Sequence, residues 1–363
     1  MELLLRFSYL VVFCALFFVS AILRPMNNWD MIPYTAAAYE REGLSGEELR
    51  AATYRDVEEY VPEAKFASMV QRGYYRQTVY SDQTAFEQQL PFYNIRYLYI
   101  SLVHFLGVFL GSFSFATVVV SAFFGSLLIF VSGLMHFSLP SKVAYFLTPP
   151  LVSAAGAFSL ARFSTPDAFA AFGGALMFFL FLRKRIFAAA VIIALLPLFR
   201  TDFLILSAFA SIYLFFSSKR LAAFSAIGAA LLYFWVGAYA GNYGHATIFN
   251  FTLVYGPQPY PADMEISQNI GDYIRVYVRG VLAFVTGKEF LFAIAIFVLW
   301  STMLHKRDGV EPFGQFFFLT LAFVLTHFAL FPAAFSRTYF LLIWSGLMLL
   351  IHAYRPVRLS LPH

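Results

Sequence analysis

Ten apolar runs constrain this chain more than any other feature. They cover residues 4–23, 114–135, 143–161, 167–182, 186–199, 203–217, 221–240, 289–304, 313–331 and 338–354. A helix that crosses a bilayer needs about 20 mostly apolar residues, with a range of roughly 17–25. The pattern therefore predicts an all-α polytopic membrane protein with about ten transmembrane helices. Two further runs are ambiguous: residues 94–111 contain Arg96 and His104, and residues 276–287 are short and contain Arg279. Composition points the same way. Of 363 residues, 60% are hydrophobic and only 12% charged, and 46 are Phe. A water-soluble fold has too little interior to hide that much apolar surface. An ordinary cytosolic enzyme, a disordered chain and a nucleic-acid-binding domain are excluded. The net charge of +5 comes from short basic clusters between apolar runs, not from one basic patch. The single cysteine, Cys14, lies inside the first run, so there is no intramolecular disulfide framework.

Basic loops set the expected orientation, because short cytoplasmic loops are enriched in Lys and Arg. Lys142, Arg183-Lys184-Arg185, Lys219-Arg220 and Lys306-Arg307, with the tail carrying Arg355 and Arg358, fall on one side together with Arg6. This holds if residues 94–111 lie at the membrane surface without crossing it. The alternative makes 143–161 re-entrant at Pro149-Pro150. The first reading divides one membrane domain, 1–363, into a first span (4–23), an outer loop with interfacial helices (24–113), central spans (114–240), a second outer loop (242–288), three last spans (289–354) and a cytoplasmic tail (355–363). Both termini are then cytoplasmic. Of the 20 acidic residues only Glu2, Asp308 and Glu311 face inward, although acids took no part in choosing the orientation. The first run also resembles a signal peptide, with Arg6 before it and Val19-Ser20-Ala21 near its end. It is longer than the usual apolar stretch of roughly 7–15 residues, so an uncleaved helix is expected.

The outer segments carry the chemistry. Residues 24–95 hold 11 acidic and 7 basic residues. Ser45-Gly46-Glu47-Glu48 reads as a capping box opening a helix that runs to about Tyr60. Residues 82–90 read as a short helix stopped by Pro91. The second outer loop holds Tyr255-Gly256-Pro257-Gln258-Pro259-Tyr260-Pro261. Three short connections place an arginine at an outer helix end: Arg162, Arg200 and Arg337. A guanidinium grips phosphate oxygens in a planar, two-pronged way, and the same positions suit snorkelling to lipid head groups or pairing such as Arg200 with Asp202. Asp30, a few residues past the first span, is placed to accept a proton from a bound hydroxyl; it equally suits a turn beside an interfacial Trp29. Asp167 after Thr165-Pro166, and Asp202 after Thr201, read as ordinary helix starts. His327 lies inside a span, where a packing role is expected. The seven histidines show no ligand spacing, and there is no phosphate-cradling glycine loop and no G-x-S-x-G. Cytoplasmic loops are too short for a nucleotide-binding domain, which excludes ATP-driven transport by this chain alone.

An apolar helix, an outer loop with an early acid and juxtamembrane helices, then many spans with short loops together resemble the glycosyltransferase C superfamily. Asn28-Trp29-Asp30 stands where that superfamily carries its catalytic acid. Leu90-Pro91-Phe92-Tyr93 is similar to its proline-aromatic juxtamembrane start. Ser164-Thr165-Pro166-Asp167-Ala168-Phe169-Ala170, leading to Arg183-Lys184-Arg185, is similar to its second-outer-loop pattern. The likeness covers roughly residues 1–220. The chain departs from the superfamily in having no paired acids in the first loop, no His-Pro-Pro before the juxtamembrane helix, and no large soluble C-terminal domain.

The resemblance implies transfer of a sugar from a polyprenyl-phosphate donor to a hydroxyl of a glycan, lipid or protein acceptor on the outer face, with inversion. It implies Asp30 as base, assisted by Asp167, with Arg162, Arg200 or Arg337 on the donor phosphate and Trp29, Tyr34 and Tyr255 stacking on sugar rings. No cofactor is expected, and isolated acids are a thin ligand set for a metal. Membrane lipids are expected partners and nucleic acid is not. The pattern of short basic inner loops fits a bacterial inner membrane. Two other classes stay open: a lipid or polysaccharide transporter or flippase, and a non-catalytic membrane subunit docking through residues 24–95.

Overall fold

A computed structural model describes residues 1–137, 141–333, 337 and 339–354. Among the described residues every regular element is helical. The chain opens with α1 (Glu2–Leu23). A polar segment follows with α2 (Met31–Glu40), α3 (Gly46–Tyr60), α4 (Glu63–Val70), α5 (Gly73–Ser81), α6 (Gln83–Glu87), α7 (Leu90–Asn94) and α8 (Tyr97–Leu110). The bundle continues with α9 (Phe113–Met135), α10 (Lys142–Val152), α11 (Phe158–Arg162), α12 (Asp167–Leu182), α13 (Ile186–Phe199), α14 (Phe203–Phe215) and α15 (Lys219–Tyr239). After α16 (His245–Phe249) come α17 (Ile270–Val285), α18 (Lys288–Thr302), α19 (Glu311–Leu330) and α20 (Phe340–Ala353).

Among the described residues five helices are long and apolar enough to cross a membrane: Glu2–Leu23, Phe113–Met135, Val143–Arg162, Lys219–Tyr239 and Glu311–Leu330. The number is seven if each of two bent pairs, α6–α7 with α8 and α17 with α18, makes one span. Four other expected spans form apolar helices of 13–16 residues, α12, α13, α14 and α20. At about 1.5 Å per residue they reach only about 20–24 Å, short of a hydrocarbon core of about 30 Å. The tail at 355–363 lies outside the described residues.

Val143–Arg162 stays helical through Pro149-Pro150 because the damage is repaired locally. Each proline lacks an N–H and so orphans the carbonyl four residues earlier. The Phe146 carbonyl, facing Pro150, accepts instead from the Tyr9 hydroxyl at 2.7 Å. The backbone then widens into a π turn at Ser153–Ala157 before α11.

Residues 31–90 fold around their own core of Met31, Ile32, Leu49, Tyr54, Val57, Phe66 and Phe86. The upper end of α9 joins it through Val118. Ser121 on α9 donates to the Thr165 carbonyl at 3.0 Å, so α9 continues eight residues, about 12 Å, above the start of α12. Those two turns are the post against which α2, α3 and α8 pack. We call this the upper end of the bundle; Arg6, bonded to the Phe137 carbonyl, marks the lower end.

Two local expectations need correction. Helix α3 starts beside Ser45, but the Ser45 side chain makes no capping bond, so there is no capping box. Residues 82–90 do not form one helix stopped by Pro91. Asp82 caps α6 by accepting from the Ala85 N–H at 2.7 Å. Pro91 instead sits in the first turn of α7, where a missing N–H is harmless. The 242–288 segment contains α16, a π turn at Asn250–Val254 and most of α17. Residues 94–111 form α8, whose 14 residues span about 21 Å before the chain turns back at Gly111 into α9.

A charged cluster as candidate functional site

Helix ends distant in sequence converge at the upper end. Asp30 stands at the start of α2. Its carboxylate accepts from Asn28 Nδ2 at 2.9 Å, the Tyr93 hydroxyl at 3.2 Å and the Arg337 guanidinium at 3.3 Å. Asn28 also accepts from the Ser164 backbone N–H at 2.9 Å. That one amide therefore fixes the Asp30 carboxylate relative to the connection leading into α12.

Asp167 opens α12, where a carboxylate complements the exposed N–H groups of the first turn. It accepts from the Thr165 hydroxyl at 2.8 Å and pairs with Arg200. Arg337 lies 3.6 Å from it. Arg200, between α13 and α14, also holds Asp202 with two parallel bonds of 2.9 and 2.8 Å. His327 on α19 faces Asp202 at 3.4 Å. Arg96, at the foot of α8, donates to the Thr201 hydroxyl at 2.6 Å.

The two arginines differ in kind. Arg200 is 13% exposed and saturated by two carboxylates at short range; Arg337 is 41% exposed and touches Asp30 and Asp167 at longer range. Burial works against the Arg200 guanidinium, but Asp202 and Asp167 outweigh it and hold its pKa above the ordinary value. Burial also works against the Asp202 carboxylate, and Arg200 with His327 overcomes it, holding that carboxyl well below the usual range. Asp167 keeps the Arg337 guanidinium above its ordinary value. The Tyr93 phenol is pushed well up by burial and by Asp30 beside it, so it stays a proton donor to that carboxylate.

Arg200, Arg337 and Asp167 line a cleft with Phe203, Phe340 and Leu341 that has only about 10 Å³ of free space, about enough for one water molecule. A larger ligand enters only if one of these side chains moves. Arg337 holds the Asp30 and Asp167 carboxylates at 3.3 and 3.6 Å, longer than the about 2.7–2.9 Å of strong guanidinium–carboxylate bonds, so those two contacts are the more open to exchange.

The structure thus brings together Asp30, Asp167, Arg200 and Arg337. Arg162 stands apart: its guanidinium donates to the Arg24 carbonyl and lies 5.3 Å over the Phe158 ring. Tyr255 is 47% exposed beyond the π turn, bonded through its backbone to Asn250. Tyr34 is buried, its ring edge-on to Tyr93 and Tyr99 at 5.2 and 5.0 Å. Trp29 lies beside Asp30, packed on Tyr75 at 5.7 Å and under Arg76 at 5.2 Å.

Sequence reasoning paired Arg200 with Asp202, as the structure has it, but gave no role in a site to Asn28, Tyr93 or Asp202 and expected only packing of His327. The i, i+2 spacing of Asn28 with Asp30 was the available signal for Asn28. Nothing in the sequence joins Tyr93 to Asp30 or His327 to Asp202. Among the described residues no three His, Cys, Asp or Glu side chains converge as a metal-binding set. The chain matches no family model, no curated protein and no solved structure.

Proposed function

We propose that this chain is a membrane glycosyltransferase of the glycosyltransferase C type, moving a sugar from a polyprenyl-phosphate donor to an acceptor hydroxyl with inversion. The observation that carries the reading is the meeting of Asp30, Asp167, Arg200 and Arg337 at one end of the bundle. A base, a second acid and an exchangeable cation within a few ångströms are the parts that inverting transfer from a phosphate leaving group requires.

In this reading the donor phosphate takes Arg337 away from Asp30 and Asp167. Asp30 keeps its bonds from Asn28 and Tyr93, which hold the carboxylate in place while one lone pair is uncovered. The acceptor oxygen attacks the anomeric carbon, and its proton passes to Asp30. The bond from that carbon to the phosphate oxygen breaks, and its electron pair leaves with the polyprenyl phosphate, stabilised by Arg337. Arg200 is a positioning residue that fixes Asp167 and Asp202. Asp167 orients the acceptor. Arg162, Tyr34 and Tyr255 have no part in the step.

The same reading gives the topology as ten spans, the shorter helices included, with residues 24–113 and 242–288 outside and both termini in the cytoplasm. The cluster then faces outward, where a lipid-linked donor needs no nucleotide for activation. The basic inner loops fit a bacterial inner membrane. The test is transfer of radiolabel from a panel of polyprenyl-phosphate sugars by the purified protein in lipid. Transfer to a hydroxyl acceptor supports the reading. No transfer together with no donor binding overturns it in favour of a transporter or a docking subunit.

A further inference from the structure

A second cavity lies elsewhere, between α3 and the turn that joins α8 to α9, and its volume is about 390 Å³. That is within the usual range of about 300–1,000 Å³ for small-molecule sites. Its walls carry three aromatic rings, Tyr39, Tyr60 and Phe115, and two charges of opposite sign, Arg55 and Glu59. Asp56 also borders it but is fully used: it accepts from Ser112 Oγ, Ser114 Oγ and the N–H groups of Phe113 and Ser114, at 2.6–3.2 Å. That carboxylate caps α9 and is structural.

Arg55 and Glu59 are different. They stand four residues apart on α3, hence on one face, and both border the cavity. Neither makes a hydrogen bond or ion pair with another described residue, and an arginine N-terminal to a glutamate at this spacing is the weaker orientation for pairing. An unused cation and an unused anion therefore flank an aromatic wall. That combination suits a zwitterion carrying a phosphate and an ammonium group. Arg55 takes the phosphate, and Glu59, beside the Tyr60 and Phe115 rings, takes the ammonium.

The surroundings say where such a group comes from. The cavity wall includes Gly111, the residue directly after α8. The last turns of α8 expose Phe105, Val108, Phe109 and Leu110, the most exposed of them, Phe109, at 73%. A continuous apolar face of this kind belongs against hydrocarbon. On the other side, α3 exposes Glu47, Glu48 and Glu58, which belong in water. The cavity lies between that apolar face and the acidic surface of α3.

We propose that this cavity binds the head group of a zwitterionic amino-phospholipid, of the phosphatidylethanolamine class, with its acyl chains along the exposed face of α8. The site is separate from the charged cluster and does not depend on its function. The experiment is native mass spectrometry of the purified protein titrated with phosphatidylethanolamine, with phosphatidylglycerol, and with free phosphoethanolamine. Phosphatidylethanolamine is expected to bind one site at least fivefold more tightly than phosphatidylglycerol. Arg55→Gln and Glu59→Gln are each expected to abolish that preference, and Phe109→Ser to weaken the lipid without weakening free phosphoethanolamine. Equal binding of the two lipids overturns the proposal, as does a preference that survives both α3 variants. Free phosphoethanolamine binding as tightly as the lipid also overturns it, and identifies a site for a soluble ligand. Arg55 and Glu59 are surface residues, so the variants keep the fold, which gel filtration checks.

Discussion

Arg200 and Arg337 occupy equivalent places in the sequence, each at the start of a helix, yet the structure gives them opposite jobs. Replacing either by methionine keeps most of the side chain's length and removes its charge. At Arg200 the change strands two carboxylates that are only 6% and 18% exposed. Removing one partner of a buried pair costs about 3–5 kcal/mol. Arg337 still reaches Asp167 and His327 still faces Asp202, which places the loss near the lower bound, about 3 kcal/mol. At Arg337, 41% exposed, losing the contacts of 3.3 and 3.6 Å to Asp30 and Asp167 costs what a solvent-reached pair costs, about 1 kcal/mol or less. The difference of about 2 kcal/mol is roughly a thirtyfold change in the folded-to-unfolded ratio. The pH response separates them again. In the parent chain Asp202 titrates below its ordinary value. Its stabilising contribution is therefore complete above about pH 4 and is lost as pH falls further. In Arg200→Met the same carboxylate is buried without its counter-charge, so its pKa rises and stability is lost as pH rises. That variant is expected to be more stable at pH 5 than at pH 7.5. Reversible unfolding in mixed micelles, followed by tryptophan fluorescence, reads both effects. An Arg337→Met loss as large as that of Arg200→Met, or an Arg200→Met variant that gains stability from pH 5 to 7.5, refutes the division of roles.

Other consequences are more local. Asp56→Ala removes four bonds from the first turn of α9. It is expected to cost about 2–3 kcal/mol, with Asp56→Asn recovering part, both read by the same unfolding assay. Gly280→Ala puts a methyl 2.4 Å from the Pro332 carbonyl oxygen. It must push α17 off the segment leading to Arg337, at about 1–3 kcal/mol, and is expected to lower transfer rate more than donor binding. Tyr93→Phe removes one of three donors to Asp30 and is expected to slow transfer about tenfold while leaving the melting temperature within a few degrees. Unchanged transfer in that variant removes Tyr93 from the site.

The bundle was legible because apolar runs of about 20 residues have few alternatives in a folded chain. The runs near residues 4–23, 114–135, 143–161, 221–240 and 313–331 correspond to the five long helices. The shorter runs near α12, α13, α14 and α20 were equally visible as apolar, but length by itself does not make them spans. Local capping was read less well. Ser45 has the right neighbours for a capping box, yet Glu47 is engaged by Arg50 and the serine hydroxyl is left out. Part of the cluster could be read from charge at helix ends, which singled out Asp30, Asp167, Arg200 and Arg337. The same rule grouped Arg162 with them, but a position at a helix end does not fix the direction of a long side chain. Arg162 instead closes the chain against Arg24. Asp202 looked like a helix start and is also the partner that locks Arg200. Tyr93 and His327 join the cluster through contacts across 63 residues and between separate helices, which no local pattern encodes.

The most direct test of the central claim is turnover by Asp30→Asn beside the parent protein, both purified in lipid and supplied with the labelled polyprenyl-phosphate sugar that the parent uses. The substitution keeps the shape of the carboxylate and its place beside Asn28, Tyr93 and Arg337, but removes its capacity to accept a proton. Transfer that falls by at least a hundredfold while donor binding is retained is the result expected of the base. Transfer at the parent rate contradicts the account and moves the reacting group away from this cluster.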